Sequence, residues 1–150
     1  MRLGRLVLAG MLLALVGTVP AWAEGVLPLT IDTHDGRHLV YKVELAQSPQ
    51  ELSHGLMERT SVPENTGMLF DFGYDHPIAM WMKDTRVPLD MLFITADGKI
   101  VKIAQRTVPM SLETIPSPGP IRAVLEVAGG ACEKQGIHVG DRMSGDAFPH

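Results

Sequence analysis

Lys83, Asp84, Asp90 and Glu126 each sit in or beside an apolar, strand-like run, with Trp81 close by in the chain. A charge inside such a segment must be paired or open to solvent, because burying it alone costs several kcal/mol. In an extended chain Trp81, Lys83 and Thr85 share one face, and Met80, Met82 and Asp84 share the other. Asp90 shares a face with Leu92 and Ile94, and Arg122, Val124 and Glu126 align in the same way. Together Lys83, Asp84, Asp90 and Glu126 would floor a polar pocket, with Trp81 offering a flat surface to a sugar ring or a peptide side chain. A structural ion-pair network is the competing explanation, since buried networks can set register without doing chemistry.

Two other chemistries can be weighed on the same residues. Asp90 and Glu126, if about 5 to 10 Å apart, would suit carboxylate-dependent hydrolysis of a glycosidic bond. No G-x-S-x-G motif is present and no Ser, His and Asp stand in a telling context, so binding is favoured over catalysis and no catalytic residue is assigned. The second alternative is a Cu(I) site built from His76, Met80 and Met82, because imidazole and thioether ligands select soft copper. Against it, Met57, Met68, Met91 and Met143 occupy apolar helix or strand positions, where core filling explains methionine without a metal. The six His residues form no H-x-x-H or H-E-x-x-H pair, so neither zinc nor any other cofactor is expected. His34 and His38 flank a turn and are expected in solvent.

The elements that must position these side chains are mostly strands. Apolar and polar residues alternate over Leu27–Thr33 and Leu39–Leu45, with His34-Asp35-Gly36 between them as the turn of a hairpin. Ser48-Pro49-Gln50-Glu51 carries a capping box and a first-turn proline, which start one short helix ending near Arg59. Further strands are expected at Met68–Phe72, Ile78–Lys83, Leu89–Thr95, Ile100–Val108, Ile121–Val127 and around Val139–Met143, with Asp97-Gly98 as a type I′ hairpin turn. Pro109–Pro120, with four prolines, is expected to be a surface excursion. Gly136-Ile137 and Gly140-Asp141 read as turn chemistry, and residues 145–150 as a loose tail. The resulting class is mainly β, an antiparallel sandwich or partly open barrel.

Residues 1–23 have the pattern of a cleavable signal peptide: Arg2 and Arg5, an apolar stretch from Leu6 to Val19, then Ala21-Trp22-Ala23. Cleavage after Ala23 would leave residues 24–150 as a single domain in the periplasm or outside the cell, with no membrane span. Taking Arg2 and Arg5 from the 13 basic residues leaves 11 against 17 acidic ones, a net charge of about −6 that disfavours nucleic acid as a partner. Oligomeric state is not legible. Cys132 is the only cysteine, so no internal disulfide can form; it has no adjacent His and no obvious helix behind it, and a buried, inert thiol is expected.

The blocks Gly55-Leu56-Met57 with Arg59, Gly67-Met68-Leu69-Phe70, Trp81-Met82-Lys83-Asp84-Thr85, Pro88-Leu89-Asp90, Leu125-Glu126, Gly136-Ile137 and Gly140-Asp141 resemble the family called domain of unknown function 192. The resemblance spans nearly all of residues 24–150. It implies a small, often exported, jelly-roll-like β-sandwich with one short helix, and it carries no catalytic residues because the family has no established role. Asp84 stands where the family usually has Asn, which would make a site there more acidic.

Overall fold

The computed structural model describes residues 25–146 and residue 148; the expected signal peptide and its cleavage point lie outside the described residues. Two alternating segments form β1 (Val26–Asp32) and β2 (His38–Ala46), paired antiparallel from Val26↔Glu44 to Asp32↔His38. The turn between them closes through the Thr33 N–H bonded to the Arg37 carbonyl. Helix α1 (Pro49–His54) follows, with both halves of its capping box formed: the Ser48 hydroxyl accepts from the Glu51 N–H, and the Glu51 carboxylate accepts from the Ser48 N–H.

The chain continues through β3 (Thr66–Met80), β4 (Leu89–Ile94), β5 (Ile100–Ala104), β6 (Ile115–Ala128), helix α2 (Ala131–Gln135) and β7 (Arg142–Ser144). All seven strands belong to one curled sheet, ordered β5-β4-β6-β3-β2-β1-β7. Its pairs are antiparallel except β2–β3, which is parallel. The two outer strands approach each other, because the Ile100 N–H bonds the Asp141 carbonyl and the Met143 N–H bonds the Gly98 carbonyl. The mainly β expectation therefore holds in its partly open barrel form.

Both faces of the sheet are apolar. The concave face packs an inner core from every strand and α2, including Leu29, Tyr41, Leu69, Leu92, Ile94, Leu125, Val127 and Cys132. The convex face carries a second core of Met68, Phe70, Met80, Met82, Leu89, Met91, Phe93 and Val124, with Leu56 just past α1 packed onto it. A parallel pair cannot be joined by a tight turn, so the β2–β3 connection must cross a face of the sheet, and α1 lies in that crossover. At six residues the helix is only ~9 Å long, too short to cover the whole face.

Several expected elements differ. There are two short helices rather than one, and Cys132, expected with no helix behind it, lies within α2. Met68–Phe72 and Ile78–Lys83 are not separate strands: the first and the opening half of the second fall within β3, which passes through an irregularity between Asp71 and His76, and residues 81–85 are a turn rather than strand. Half of the proline-rich excursion is the first part of β6, paired to β3 through Pro77↔Pro120 and Ala79↔Pro116. β4 reaches only as far as Ala123, so the prolines occupy an edge where a missing N–H breaks no ladder. The tail is not loose at Phe148, which is fully buried in the inner core with the Arg122 guanidinium 5.2 Å from its ring centroid.

Gly67 is required by close approach. A Cβ there would sit 2.2 Å from the Glu126 carbonyl oxygen, against backbone that cannot yield without shifting β6. We expect Gly67→Ala to lower unfolding free energy by about 1–3 kcal/mol, read from the urea midpoint. Gly119→Ala, which meets nothing within 4 Å, should stay within about 0.5 kcal/mol of the parent.

Candidate functional site

The uncovered part of the convex face is a groove of about 230 Å³ between the end of α1 and the second half of β3. Leu52, Leu56, Phe70, Phe72, Ile78, Met80 and Trp81 give it apolar walls, and Ser53, His54, His76, Lys83, Thr85 and Glu126 bring polar side chains to it. The β3 irregularity shapes its rim: between Asp71↔Ala123 and His76↔Ile121, β3 advances five residues while β6 moves two. The extra residues throw out Tyr74, whose ring stacks on His76 with centroids 4.5 Å apart.

Glu126 is the most unusual residue of the groove. It is 4% exposed, and on its face of the sheet its cross-strand partners are Met68 and Met91. No hydrogen bond or ion pair reaches its carboxyl from any described residue. Among the described residues no side-chain oxygen sealed from solvent lacks a bonding partner, so the carboxyl oxygens must reach the groove surface. Burial pushes its pKa up to about 8, which leaves it chiefly a neutral carboxylic acid at pH 7, able to donate as well as accept.

Asp90 is equally buried and is handled in the opposite way. Oδ1 accepts from the Arg106 and Gly130 N–H groups at 2.8 and 2.9 Å, and Oδ2 from the Cys132 N–H at 2.9 Å. The carboxylate thus ties the β5–β6 connection and the start of α2 to β4. The register decides its side: Asp90 pairs with Val127 while Glu126 pairs with Met91, so the two carboxyls project from opposite faces of the sheet. They form no acid–base pair. Cys132 is buried beside Asp90; burial, with the carboxylate adding to it, raises the thiol pKa and keeps it inert.

The turn at 81–85 sorts the remaining residues. Trp81, Lys83 and Thr85 line the groove together, with the Lys83 ammonium 5.3 Å from the Trp81 ring centroid. Asp84 is exposed outside the groove with φ 53°, a backbone state that Asn and Asp adopt more readily than other non-glycine residues. The Asn-to-Asp difference at this position therefore suits the turn and adds no acid to the groove. His76 and Met80 line the groove, but Met82 is buried and its sulfur takes the Thr107 hydroxyl at 3.0 Å. The copper ligand set is not assembled by these contacts.

One buried pair was not anticipated from the sequence. Asp71 is bonded by Arg122 (3.1 and 3.3 Å), the Gly73 N–H and Gln47. Burial alone would raise its carboxyl, but these partners together hold it below the ordinary range. An acidic residue in one strand and a basic one in another is a visible signal, but their register is not.

The comparisons with known proteins bear on the whole domain. A family model described as "Uncharacterized ACR", domain of unknown function 192, matches residues 30–145. A solved structure of a candidate transcription regulator from Sinorhizobium meliloti 1021 is 42% identical, with a TM-score of 0.80 over 81% of this chain and 95% of that one. A protein of unknown function from Novosphingobium aromaticivorans DSM 12444 is 34% identical, with a TM-score of 0.76 over 79% of this chain and 84% of that one. No curated protein matches.

Two outcomes follow from the contrasting carboxyls. Asp90→Ala strands three N–H groups, that of Cys132 buried and those of Arg106 and Gly130 partly so, and should cost about 3 kcal/mol in unfolding free energy. For Glu126 the folded state keeps a proton that the unfolded chain releases near 4.5. Its contribution is therefore fully present below about 4.5, declines as pH rises, and levels off above about 8. Urea midpoints between pH 5 and 8 should show Glu126→Gln gaining on the parent by up to ~1.4 kcal/mol per pH unit.

Proposed function

The chain belongs to the family called domain of unknown function 192, and on that premise we propose that it is a non-catalytic binding protein, exported by cleavage after Ala23, for a small cell-envelope ligand. The groove on the convex face is the binding site. The observation that carries this reading is Glu126: a carboxyl with no bonding partner among the described residues, held nearly neutral at the floor of an apolar groove. A structural carboxyl is normally satisfied, as Asp90 is three times over. One left unbonded at an open surface is available to a ligand.

The lining limits the ligand chemistry. At about 230 Å³ the groove is smaller than the ~300–1,000 Å³ pockets that hold drug-sized molecules, so it suits one sugar ring or one peptide side chain. Trp81, 45% exposed, supplies a flat apolar face, and Lys83 above it adds a donor at the rim. A neutral ligand with one apolar face and polar edges fits this set. The regulatory description of the Sinorhizobium relative does not extend to DNA contact here, because the expected mature chain has about six excess negative charges and no basic run for phosphate.

Titrating the purified protein with cell-wall muropeptides and simple sugars, followed by calorimetry and Trp fluorescence, should give saturable binding for at least one of them. Trp81→Ala and Glu126→Leu, which removes both the donor and the acceptor, should abolish it, while Trp81→Ala stays within about 1 kcal/mol of the parent in stability. Binding that survives both substitutions would remove the groove as the site, and unfolding caused by Trp81→Ala would return that residue to a structural role.

A further inference from the structure

On the far side of the barrel, His34 in the β1–β2 turn meets His138 and Asp141 from the segment between α2 and β7. More than a hundred residues separate His34 from Asp141, and no sequence spacing links them. One donor atom from each of the three side chains lies within 4.8 Å of the others. We propose that His34, His138 and Asp141 bind a divalent transition cation of the Zn²⁺ class.

The donor set suits that class. Two imidazoles and one carboxylate match borderline cations, whereas Mg²⁺ and Ca²⁺ require mainly oxygen ligands. Asp141 is held rigidly: Oδ1 accepts from the His34 N–H and Oδ2 from the His138 N–H, both at 2.8 Å. The same carboxylate thus fixes the backbones that carry both imidazoles, and each oxygen keeps a further lone pair. His34 Nδ1 lies 3.3 Å from Asp141 Oδ1. Two ligands at ~2.0–2.1 Å from a tetrahedral ion are about 3.4 Å apart, so this separation matches a coordination edge.

His138 is prepared by a second contact. Its Nδ1 faces the Gly136 carbonyl at 2.9 Å, which can only accept, so Nδ1 is the donor in that contact and Nε2 is the nitrogen left for a metal. A metal-binding imidazole is usually oriented by this kind of backbone bond. The two rings sit edge to face with centroids 4.9 Å apart. Closing the remaining distance needs about an ångström of side-chain movement, which costs little because both rings are exposed. The nearby Arg37 guanidinium is held by the Asp35 carboxylate and by the Gln135 and Gly136 carbonyls, which offset its charge.

Three protein ligands leave at least one coordination position to water. Bound metal would clamp the β1–β2 turn to the segment leading into β7, at the seam where the two outer strands approach.

The test uses purified, chelator-treated protein titrated with Zn²⁺ alone. Calorimetry should find one site per chain and the melting temperature should rise with added Zn²⁺. His34→Ala and His138→Ala should each weaken binding at least ~10-fold and erase the thermal shift, leaving metal-free melting unchanged, whereas His38→Ala and His76→Ala should behave as the parent. NMR should show Zn²⁺ moving the ring signals of His34 and His138 but not of His38, a readout independent of any variant's folding. Absence of saturable binding, or binding that persists in both His34→Ala and His138→Ala, overturns the site.

Discussion

A single sheet with two apolar faces must be covered on both, and the architecture follows from how that is done. The concave face covers itself by curling until β5 and β7 approach through backbone bonds around Ile100, Asp141 and Met143. The convex face has no such recourse. Its cover comes from the crossover that the parallel β2–β3 pair demands and from the turn at 81–88, which adds Met82 and Val87 to the second core. Because α1 is a six-residue helix, the strip beside β3 is left open, and the groove is what remains uncovered rather than a cavity carved into a finished core.

The sheet buries two carboxyls on adjacent strands and treats them differently. Asp90 sits in a nest of three N–H groups, which satisfy its oxygens and anchor the β5–β6 connection and α2. Glu126, one register step away on the opposite face, has no such donors, and burial shifts it toward its neutral form. The same residue class therefore serves as a staple on one side and as an unspent hydrogen-bonding group on the other. A strand that alternates by one residue is enough to separate these roles.

The turns carry as much positioning as the strands. Residues 81–85 leave the sheet through a turn with Asp84 in a left-handed conformation, which sends Trp81, Lys83 and Thr85 toward the groove and Met82 toward Thr107. The connection from α2 to β7 likewise brings Asp141 under the β1–β2 turn, where it bonds the N–H groups of both His34 and His138. Extended alternation placed Trp81, Lys83 and Thr85 together for a reason that proved different from the strand geometry it assumed.

Local rules written in short stretches of the sequence determined the elements: alternation in β1 and β2, the continuous apolar run of β4, the Ser48–Glu51 capping box, the apolar burial of most methionines and the hairpin at Asp97-Gly98, although only Gly98 takes a positive φ and the turn is not the expected type I′. These depend on neighbours within a few residues, where steric and hydrogen-bonding preferences act directly. Which face of the sheet each charge occupies, whether Asp90 meets Glu126, that Asp71 finds Arg122, that prolines 116–120 extend a strand at an edge, and that His34 reaches Asp141 were decided only by tertiary structure. Each depends on register between strands distant in the chain, and a shift of one residue in register moves a side chain to the opposite face.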